Sequence, residues 1–301
     1  MKRSIAWLLT AGVVMKTTKT SNPRAVGGAA WSRRRRAARN WTVLGLLIPL
    51  AAACGGENDP QAEQSVDPSP TASISEAVGT VQTNSGGSVH YRCAGEGDPT
   101  ILMEAGGGAG TDEFAALLDP LAEKNRVCTY DRPGTGMSPD VPNHRRTLDD
   151  LCQVQDEVIE ALAIAGPYVL LGQSFGGNIV IGCAERHPDR VAGLEVVEGY
   201  HDDPQQMRKW ARDEGWTWQG NPEHVDGVDI SDELDVLDMP IGSFPVLVLS
   251  ATDADPGNVH NQKHWLGLSP DSRQVVVEGG HDLHFENPEE VVHETLTLLR
   301  G

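Results

Sequence analysis

The alternation of short apolar runs with longer helical patterns constrains the fold of this 301-residue chain most strongly. Runs rich in β-branched and aromatic residues predict strands at residues 88–93, 100–104, 126–130, 168–172, 191–197, 245–250 and 273–278. Helical patterns lie between them, at residues 113–124, 147–165, 175–186, 259–266 and 288–299. Several of the strands are apolar without alternation, as in parallel strands that are buried on both faces. The sequence therefore predicts one α/β domain over residues 78–301, with a mostly parallel sheet and helices on both faces.

Two stretches depart from this alternation. Asn-Ser-Gly-Gly at residues 84–87 separates two short β-rich runs and predicts an opening hairpin. Residues 199–241 are acidic, contain three tryptophans and lie between two predicted strands. An insertion at that point would lie over the carboxyl ends of the strands, where open α/β sheets bind ligands. We therefore expect a small lid or cap there.

The charge distribution divides the chain in two. Residues 1–54 hold ten of the 24 Lys and Arg and no acidic residue, so the remainder has 14 basic residues against 43 acidic ones. A basic leader ahead of an acidic body is typical of a targeting segment that precedes an exported domain. The acidic body also argues against a nucleic acid partner, because phosphate binding requires a basic surface.

The leader has the organisation of a signal peptide. Four arginines at 33–36 precede an apolar run at 41–53, which is too short for a membrane span. The run ends in Ala-Ala-Ala before Cys54, an ending that resembles the lipobox of bacterial lipoproteins. The resemblance implies lipidation of Cys54 and anchoring in the cell envelope, so that the protein meets the membrane only through its lipid. Cleavage without lipidation, giving a secreted protein, is the alternative.

The segment after the leader predicts a tether. Residues 55–77 are mostly polar, contain prolines and have few large apolar side chains. Such a composition does not bury enough surface to offset the entropy of ordering. We expect a disordered linker between the anchor and the domain.

A candidate nucleophile lies between a predicted strand and a predicted helix. Residues 172–176, Gly-Gln-Ser-Phe-Gly, match the pattern G-x-S-x-G in the strand–turn–helix context that this pattern requires. The turn would place Ser174 at a helix N-terminus, where free N–H groups favour developing negative charge. We predict that Ser174 is the nucleophile of an acyl-transfer reaction.

Acyl transfer also requires two N–H donors for the oxyanion. The first would be Phe175, which follows the nucleophile. The second is assigned to Gly107, with Gly106 and Gly108 as alternatives, because a glycine run lets the backbone approach a substrate closely.

Three motifs in this order resemble the α/β-hydrolase superfamily with a serine nucleophile. Residues 131–138, Asp-Arg-Pro-Gly-Thr-Gly-Met-Ser, are similar to the D-R-x-G-x-G-x-S loop of that family. Residues 172–176 resemble its nucleophile elbow, and residues 277–281 resemble the segment that carries its catalytic histidine. The resemblance covers about residues 78–300 and implies an eight-stranded α/β-hydrolase fold. This chain has Glu104-Ala105 where many relatives have an apolar residue and a histidine.

The resemblance implies the chain order serine, acid, histidine for a catalytic triad. It assigns the base to His281, whereas His284 is expected to face solvent. The acid is expected at the end of the strand at 245–250, which is the seventh when the first strand of the opening hairpin is counted. Asp253 is preferred there to Asp255. Glu198, which ends the sixth strand, is the remaining alternative.

The family's strand order also suggests two disulfides. It places the second and fourth strands side by side, and with them Cys93 and Cys128, whereas Cys152 and Cys183 fall on helices of one face. Disulfides are permitted in an exported protein. Spacings typical of zinc ligands and phosphate-binding glycine motifs are not found in the sequence, so neither a metal nor a cofactor is expected.

The sequence thus predicts a serine hydrolase that acts on a small-molecule ester or amide through a Ser174 acyl-enzyme. An aminopeptidase resembling proline iminopeptidases and an acyltransferase are the enzymatic alternatives. A hydrolase-like lipoprotein that only binds a ligand is the alternative outside enzymes.

Overall fold

The structure, a computed structural model, describes residues 74–140, 144–201, 204–213, 215–254 and 257–300. The predicted leader with Cys54, most of the predicted linker, and Asp255 lie outside the described residues.

Eight strands form one sheet in the order β1-β2-β4-β3-β5-β6-β7-β8. Strand β2 runs antiparallel to β1 and β4, and the neighbours from β4 to β8 are parallel. This arrangement confirms the predicted mostly parallel sheet. The strands are β1 (Glu76–Thr83), β2 (Gly87–Ala94), β3 (Ile101–Glu104), β4 (Val127–Tyr130), β5 (Tyr168–Gln173), β6 (Val191–Val197), β7 (Val246–Ala251) and β8 (Ser272–Val277).

The first strand corrects one predicted boundary. Strand β1 begins at Glu76 and pairs with β2 over its whole length, so residues 76 and 77 belong to the sheet rather than to the linker. Hydrogen bonds to the edge of β2 satisfy the backbone of these residues, which the polar local sequence did not indicate.

Helices cover both faces of the sheet, as predicted. They are α1 (Ala115–Ala122), α2 (Leu148–Ala161), α3 (Phe175–Arg186), α4 (Pro204–Asp213), α5 (Gly227–Asp235), α6 (Asn258–Asn261), α7 (Leu283–Glu286) and α8 (Pro288–Leu298). Short 3-10 segments lie at Thr111–Phe114, Pro188–Arg190 and Gln262–Leu268. The helix predicted at 259–266 is therefore one short turn of α-helix followed by a 3-10 segment. Within the described residues, no helix combines the length and the apolar character that crossing a bilayer demands.

Each face of the sheet has its own core. Helices α2 and α3 and apolar residues of the lid pack on one face, and α1 and α8 pack on the other. Helix α2 begins at a capping box, in which the Thr147 hydroxyl accepts from Asp150 N–H and the Asp150 carboxylate accepts from Thr147 N–H. A disulfide between Cys152 and Cys183 joins α2 to α3. A second one, between Cys93 and Cys128, joins directly opposed residues of β2 and β4.

Helices α4 and α5 lie in the predicted lid stretch, between β6 and β7. They contact each other, and α5 also contacts α3, the helix that follows the candidate nucleophile. The lid region therefore lies next to the helix that carries the Ser174 turn.

Candidate active site

Ser174 occupies the sharp turn between β5 and α3. Its φ of 52° lies in the left-handed region, which a side chain other than glycine adopts at a cost in strain. Its N–H is held by the carbonyl of Val197 on β6, 2.8 Å away. Gly176 permits the turn, since a Cβ there would lie 2.1 Å from the carbonyl oxygen of Glu104. The Ser174 hydroxyl is thus presented beyond the carboxyl end of β5.

His281 reaches the same point from the loop after β8. Its Nε2 lies 2.8 Å from Ser174 Oγ, a hydrogen-bond distance at which the imidazole can accept the hydroxyl proton. The loop is held in part by Gln173, whose side-chain amide donates to the backbone oxygen of His281 at 3.1 Å. The structure therefore brings together the predicted nucleophile and base, 107 residues apart in the sequence.

Glu198 lies on the other side of the imidazole ring. Its Oε2 is 3.2 Å from His281 Nδ1, and its side chain is fully buried. The carboxylate also accepts from the backbone N–H of Ala251 at 2.6 Å and from the side-chain amides of Asn258 and Gln262 at 2.7 and 3.2 Å. A buried charge with this many donors is held in one orientation. Ser174, His281 and Glu198 form a chain of the kind used in serine hydrolases.

This geometry corrects the preference for Asp253. The Asp253 side chain is exposed, and its backbone N–H is bound to the carbonyl of Gly279. Glu198 follows β6, the strand beside β5, whereas Asp253 follows β7, one strand further from the nucleophile. The Glu198 carboxylate is the one that lies against His281 Nδ1, and the amide donors around it stabilise its charge there. The second candidate, Asp255, lies outside the described residues.

The contact with Glu198 changes the acid–base behaviour of His281. The hydrogen bond to the Glu198 carboxylate raises the pKa of His281 above its ordinary value of 6.5, and partial burial acts in the opposite direction. The same hydrogen bond favours the Nδ1–H tautomer, which leaves Nε2 free to accept the serine proton.

The glycine run is organised by two carboxylates. Gly106 N–H donates to Glu113 at 2.6 Å, and Gly108 N–H donates to Glu223 at 2.8 Å. Among the described residues, Gly107 N–H has no acceptor. Of the three glycines, Gly107 is therefore the one whose N–H is available to an oxyanion, together with that of Phe175 at the start of α3.

Arg132 orients the peptide that carries the Gly107 N–H. Its guanidinium donates to the carbonyls of Ala105 and Gly106 at 2.6 and 2.7 Å. Because C=O and N–H point in opposite directions across a trans peptide, fixing the Gly106 oxygen also fixes the direction of the Gly107 N–H. The loop in which Arg132 lies thus holds the backbone of the candidate oxyanion site.

Two buried glutamates neutralise Arg132. Its side chain is 1% exposed and contacts Glu104 at 2.9 Å and Glu223 at 2.6 Å, and both of these side chains are fully buried. Glu104 also accepts from Tyr130 and Gln155. This explains why an acid stands at position 104, where the family pattern has an apolar residue. Glu223 was missed by the sequence analysis because it lies 91 residues from Arg132 in a lid with many acids.

Aromatic side chains of the lid cover the site. Trp216 packs on Gly107 so closely that a Cβ there would lie 2.2 Å from the indole ring, and the ring centroids of Trp216 and Phe175 are 5.3 Å apart. Trp216 is stacked on Trp210 at 6.0 Å, and Trp210 contacts Tyr200 at 5.6 Å. A row of four rings thus runs from the candidate oxyanion site into the lid.

Beside this row, a cavity of about 250 Å³ opens at the nucleophile. Its lining residues are Ser174, Glu198, Tyr200, Met207, Trp210, Ala254, Asn258 and His281. Lysine and arginine are absent from this set of described residues.

His284 corrects a further expectation, since it is buried rather than exposed to solvent. It packs between Phe114 and Phe285, and burial lowers its pKa to about 4. Its Nε2 lies 3.4 Å from Glu113, whose pKa is raised by burial to about 7. Glu113 therefore holds the backbone of Gly106, with His284 buried beside it, and nothing in the local sequence distinguished either residue.

Comparison with known proteins agrees with this architecture. Residues 99–230 match the sequence model of a family described as alpha/beta hydrolase fold. An esterase from Thermogutta terrifontis superimposes with a TM-score of 0.60 at 21% identity, over 74% of this chain and 98% of the esterase. The enol-lactonase of Burkholderia xenovorans LB400 superimposes with a TM-score of 0.58 at 20% identity, over 74% of this chain and all of the lactonase. The chain therefore has the α/β-hydrolase fold.

Sequence relatives align over a shorter region. RutD of Caulobacter segnis, which bears the name of a candidate carbamate hydrolase, is 34% identical over 35% of this chain and 39% of its own length. The 2-hydroxy-6-oxononadienedioate/2-hydroxy-6-oxononatrienedioate hydrolase of Escherichia coli K12 is 33% identical over 37% of this chain and 40% of its own length. The chain thus spans about two fifths of the length of these curated relatives. These matches agree with the α/β-hydrolase fold of the domain.

Proposed function

We propose that the protein is a serine hydrolase that cleaves carboxylic esters or small amides through an acyl-enzyme on Ser174. The observation that carries this proposal is the hydrogen-bonded chain from Ser174 Oγ to His281 Nε2 at 2.8 Å and from His281 Nδ1 to Glu198 at 3.2 Å. A serine nucleophile, a histidine base and a buried carboxylate are the three groups that acyl transfer through serine requires.

The reaction takes place in two steps. His281 Nε2 accepts the Ser174 proton while Ser174 Oγ attacks the carbonyl carbon, and the imidazolium that forms is stabilised by Glu198. The N–H groups of Phe175 and Gly107 stabilise the oxyanion until His281 returns the proton to the leaving alcohol or amine. Water then attacks the acyl-enzyme by the same route, releasing the carboxylic acid and restoring Ser174.

The cavity supports a small, uncharged and largely apolar substrate. Its volume of about 250 Å³ lies just below the roughly 300–1,000 Å³ of drug-sized ligand pockets. Its lining includes Tyr200, Met207 and Trp210 and, among the described residues, contains neither lysine nor arginine, so the two carboxylates of a dioate would find no guanidinium or ammonium partner there. We therefore infer neutral esters or amides rather than the dioates in the name of the Escherichia coli relative.

Labelling with a fluorophosphonate probe tests the nucleophile. We expect covalent labelling of the wild-type protein and none of Ser174→Ala, with Ser85→Ala, changed at an exposed serine of the turn between β1 and β2, as a labelled control. Equal labelling of Ser174→Ala, or no labelling of the wild-type protein, would contradict the proposal; the second result would favour a protein that only binds ligands. A screen of p-nitrophenyl esters against aminoacyl p-nitroanilides then separates esterase from aminopeptidase activity.

We also propose that the protein is exported and anchored to the bacterial cell envelope by lipid on Cys54. The basic leader, the short apolar run and the Ala-Ala-Ala-Cys sequence at 51–54 support this proposal. Mass spectrometry of the N-terminal peptide from the native host tests it. Lipid on Cys54 is the expected result, and an unmodified Cys54 in a protein recovered from the medium would contradict it.

A further inference from the structure

Three side chains that could ligate a metal converge outside the catalytic chain. They are His201 in the segment after β6, Asp235 at the last position of α5, and His264 in the 3-10 segment Gln262–Leu268. One potential ligand atom of each lies within 4.8 Å of those of the other two. His201 Nε2 lies 3.2 Å from Asp235 Oδ1.

The two imidazoles are stacked face to face. Their ring centroids are 3.8 Å apart with an angle of 9° between the planes. Because the lone pairs of an imidazole lie in its ring plane, a shared ion requires one of the two rings to turn out of the stack on binding. Trp265 packs edge-on against both rings, at 5.2 Å from His201 and 4.9 Å from His264. This packing holds both histidines next to the Asp235 carboxylate.

One ring nitrogen is conspicuously unsatisfied. His264 Nε2 is buried and has no hydrogen-bond partner among the described residues. A buried polar atom without a partner costs about 1–3 kcal/mol, a cost that a bound ligand would remove. Two imidazoles and one carboxylate suit Zn²⁺ and similar first-row ions, whereas Mg²⁺ and Ca²⁺ prefer oxygen ligands alone.

We propose that His201, Asp235 and His264 form a binding site for a divalent transition-metal ion, with Zn²⁺ as the representative ion. Three protein ligands leave at least one position for water. The proposal is independent of the hydrolase activity, because none of the three side chains belongs to the Ser174–His281–Glu198 chain.

Such an ion would connect the lid to the core of the domain. Asp235 belongs to a lid helix, whereas His264 precedes Trp265, whose Nε1 donates to the carbonyl of Gly199 at 3.3 Å. Gly199 follows Glu198, so the ion would join the end of α5 to the segment that carries the candidate catalytic acid. Because the ion binds the folded state, it should also raise the midpoint of thermal unfolding.

Zinc titration of the metal-stripped, untagged full chain tests the site. We expect one ion per chain by isothermal titration calorimetry, with a Kd in the micromolar range or lower. Asp235→Asn and His264→Gln should each weaken binding at least ten-fold. His293→Ala, which removes an exposed histidine of α8, serves as the matched control and should bind as the wild type does.

Co²⁺ gives a second readout that needs no substrate. Ligation by His201, Asp235 and His264 should produce visible absorption bands that Asp235→Asn abolishes, while circular dichroism shows that this variant, changed at an exposed side chain, is folded. The proposal is overturned if the wild-type protein takes up no Zn²⁺, or if Asp235→Asn and His264→Gln bind as tightly as the wild type. It is equally overturned if His281→Ala abolishes binding while His264→Gln leaves it unchanged, since the ion would then lie at the catalytic histidine.

Discussion

At the scale of single residues, the choice of the acid decides how His281 works. Glu198→Gln keeps the shape of the side chain but removes the charge that stabilises the imidazolium. We expect kcat/KM for an ester substrate to fall by about 10²–10⁴-fold, whereas Asp253→Asn, changed at an exposed side chain, should stay within about two-fold. Steady-state kinetics of the two variants measures the difference. A larger loss of kcat/KM in Asp253→Asn would show that Asp253, and not Glu198, is the acid that acts on His281.

The pH dependence of the reaction follows from the same contact. His281 acts as a base only when neutral, so activity is lost as the pH falls through its pKa, which Glu198 raises above 6.5. We expect the acid limb of the kcat/KM profile to have a midpoint above 6.5. In Glu198→Gln the residual activity should have its midpoint at lower pH, because the raising carboxylate is gone. An unchanged midpoint would show that Glu198 does not set this pKa.

At the scale of structural elements, buried ion pairs tie the lid to the glycine run. Glu223→Ala removes one of the two carboxylates that neutralise the buried Arg132, and we expect a loss of about 3–5 kcal/mol in the free energy of unfolding. Activity should fall as well, because Arg132 orients Gly106. The matched control is Asp232→Ala, which breaks the half-exposed pair between Arg208 and Asp232 and should cost no more than about 1 kcal/mol. Denaturant titration compares them.

Another connection between elements is the disulfide from α2 to α3. It spans 31 residues of sequence, and loop-closure entropy for that span corresponds to about 3–4 kcal/mol of stabilisation. The double variant Cys152→Ser/Cys183→Ser should therefore unfold at a lower temperature than the oxidised wild type, and a reductant should lower the wild-type midpoint. Thiol trapping after denaturation provides the check. Free thiols at Cys93, Cys128, Cys152 and Cys183 would rule out both disulfides.

At the scale of the whole molecule, the fold keeps a carboxyl group inside the sheet. Glu195 on β6 is fully buried, and burial raises its pKa from 4.5 to about 8. The folded state therefore holds a proton that the unfolded chain releases above pH 4.5. The contribution of the protonated Glu195 carboxyl to the free energy of unfolding is full below pH 4.5 and is lost as the pH rises towards 8.

The variant Glu195→Gln isolates this effect. It cannot ionise, so its stability relative to the wild type should increase from pH 5 to pH 8 by an amount on the order of a few kcal/mol. Thermal unfolding at the two pH values gives the measurement, and Glu278→Gln, changed at an exposed side chain, should show no such trend. A constant difference between Glu195→Gln and the wild type would mean that Glu195 ionises as it does in water.

Much of this molecule follows from its local sequence. The strand–helix order, the hairpin at 84–87 and the turn at Ser174 depend on side-chain burial and backbone conformation within a few residues of each other. Such patterns are visible in one dimension, because a strand buried on both faces must be apolar throughout and a tight turn must have small neighbours. The sequence alone therefore determined the fold class and the turn at Ser174, and its resemblance to the α/β-hydrolase family pointed to His281.

Only the tertiary structure decided which distant residues meet. Glu198 follows β6, and Asp253 follows β7, the parallel strand beside it. The packing of the segments after β7 and β8 selects Glu198 as the neighbour of His281. Glu223 lies opposite Arg132 only because the lid folds back over the glycine run. His201, Asp235 and His264 have no characteristic spacing, so their convergence is invisible until the lid packs on the sheet. Contacts of this kind depend on side-chain packing between segments, which no local pattern encodes.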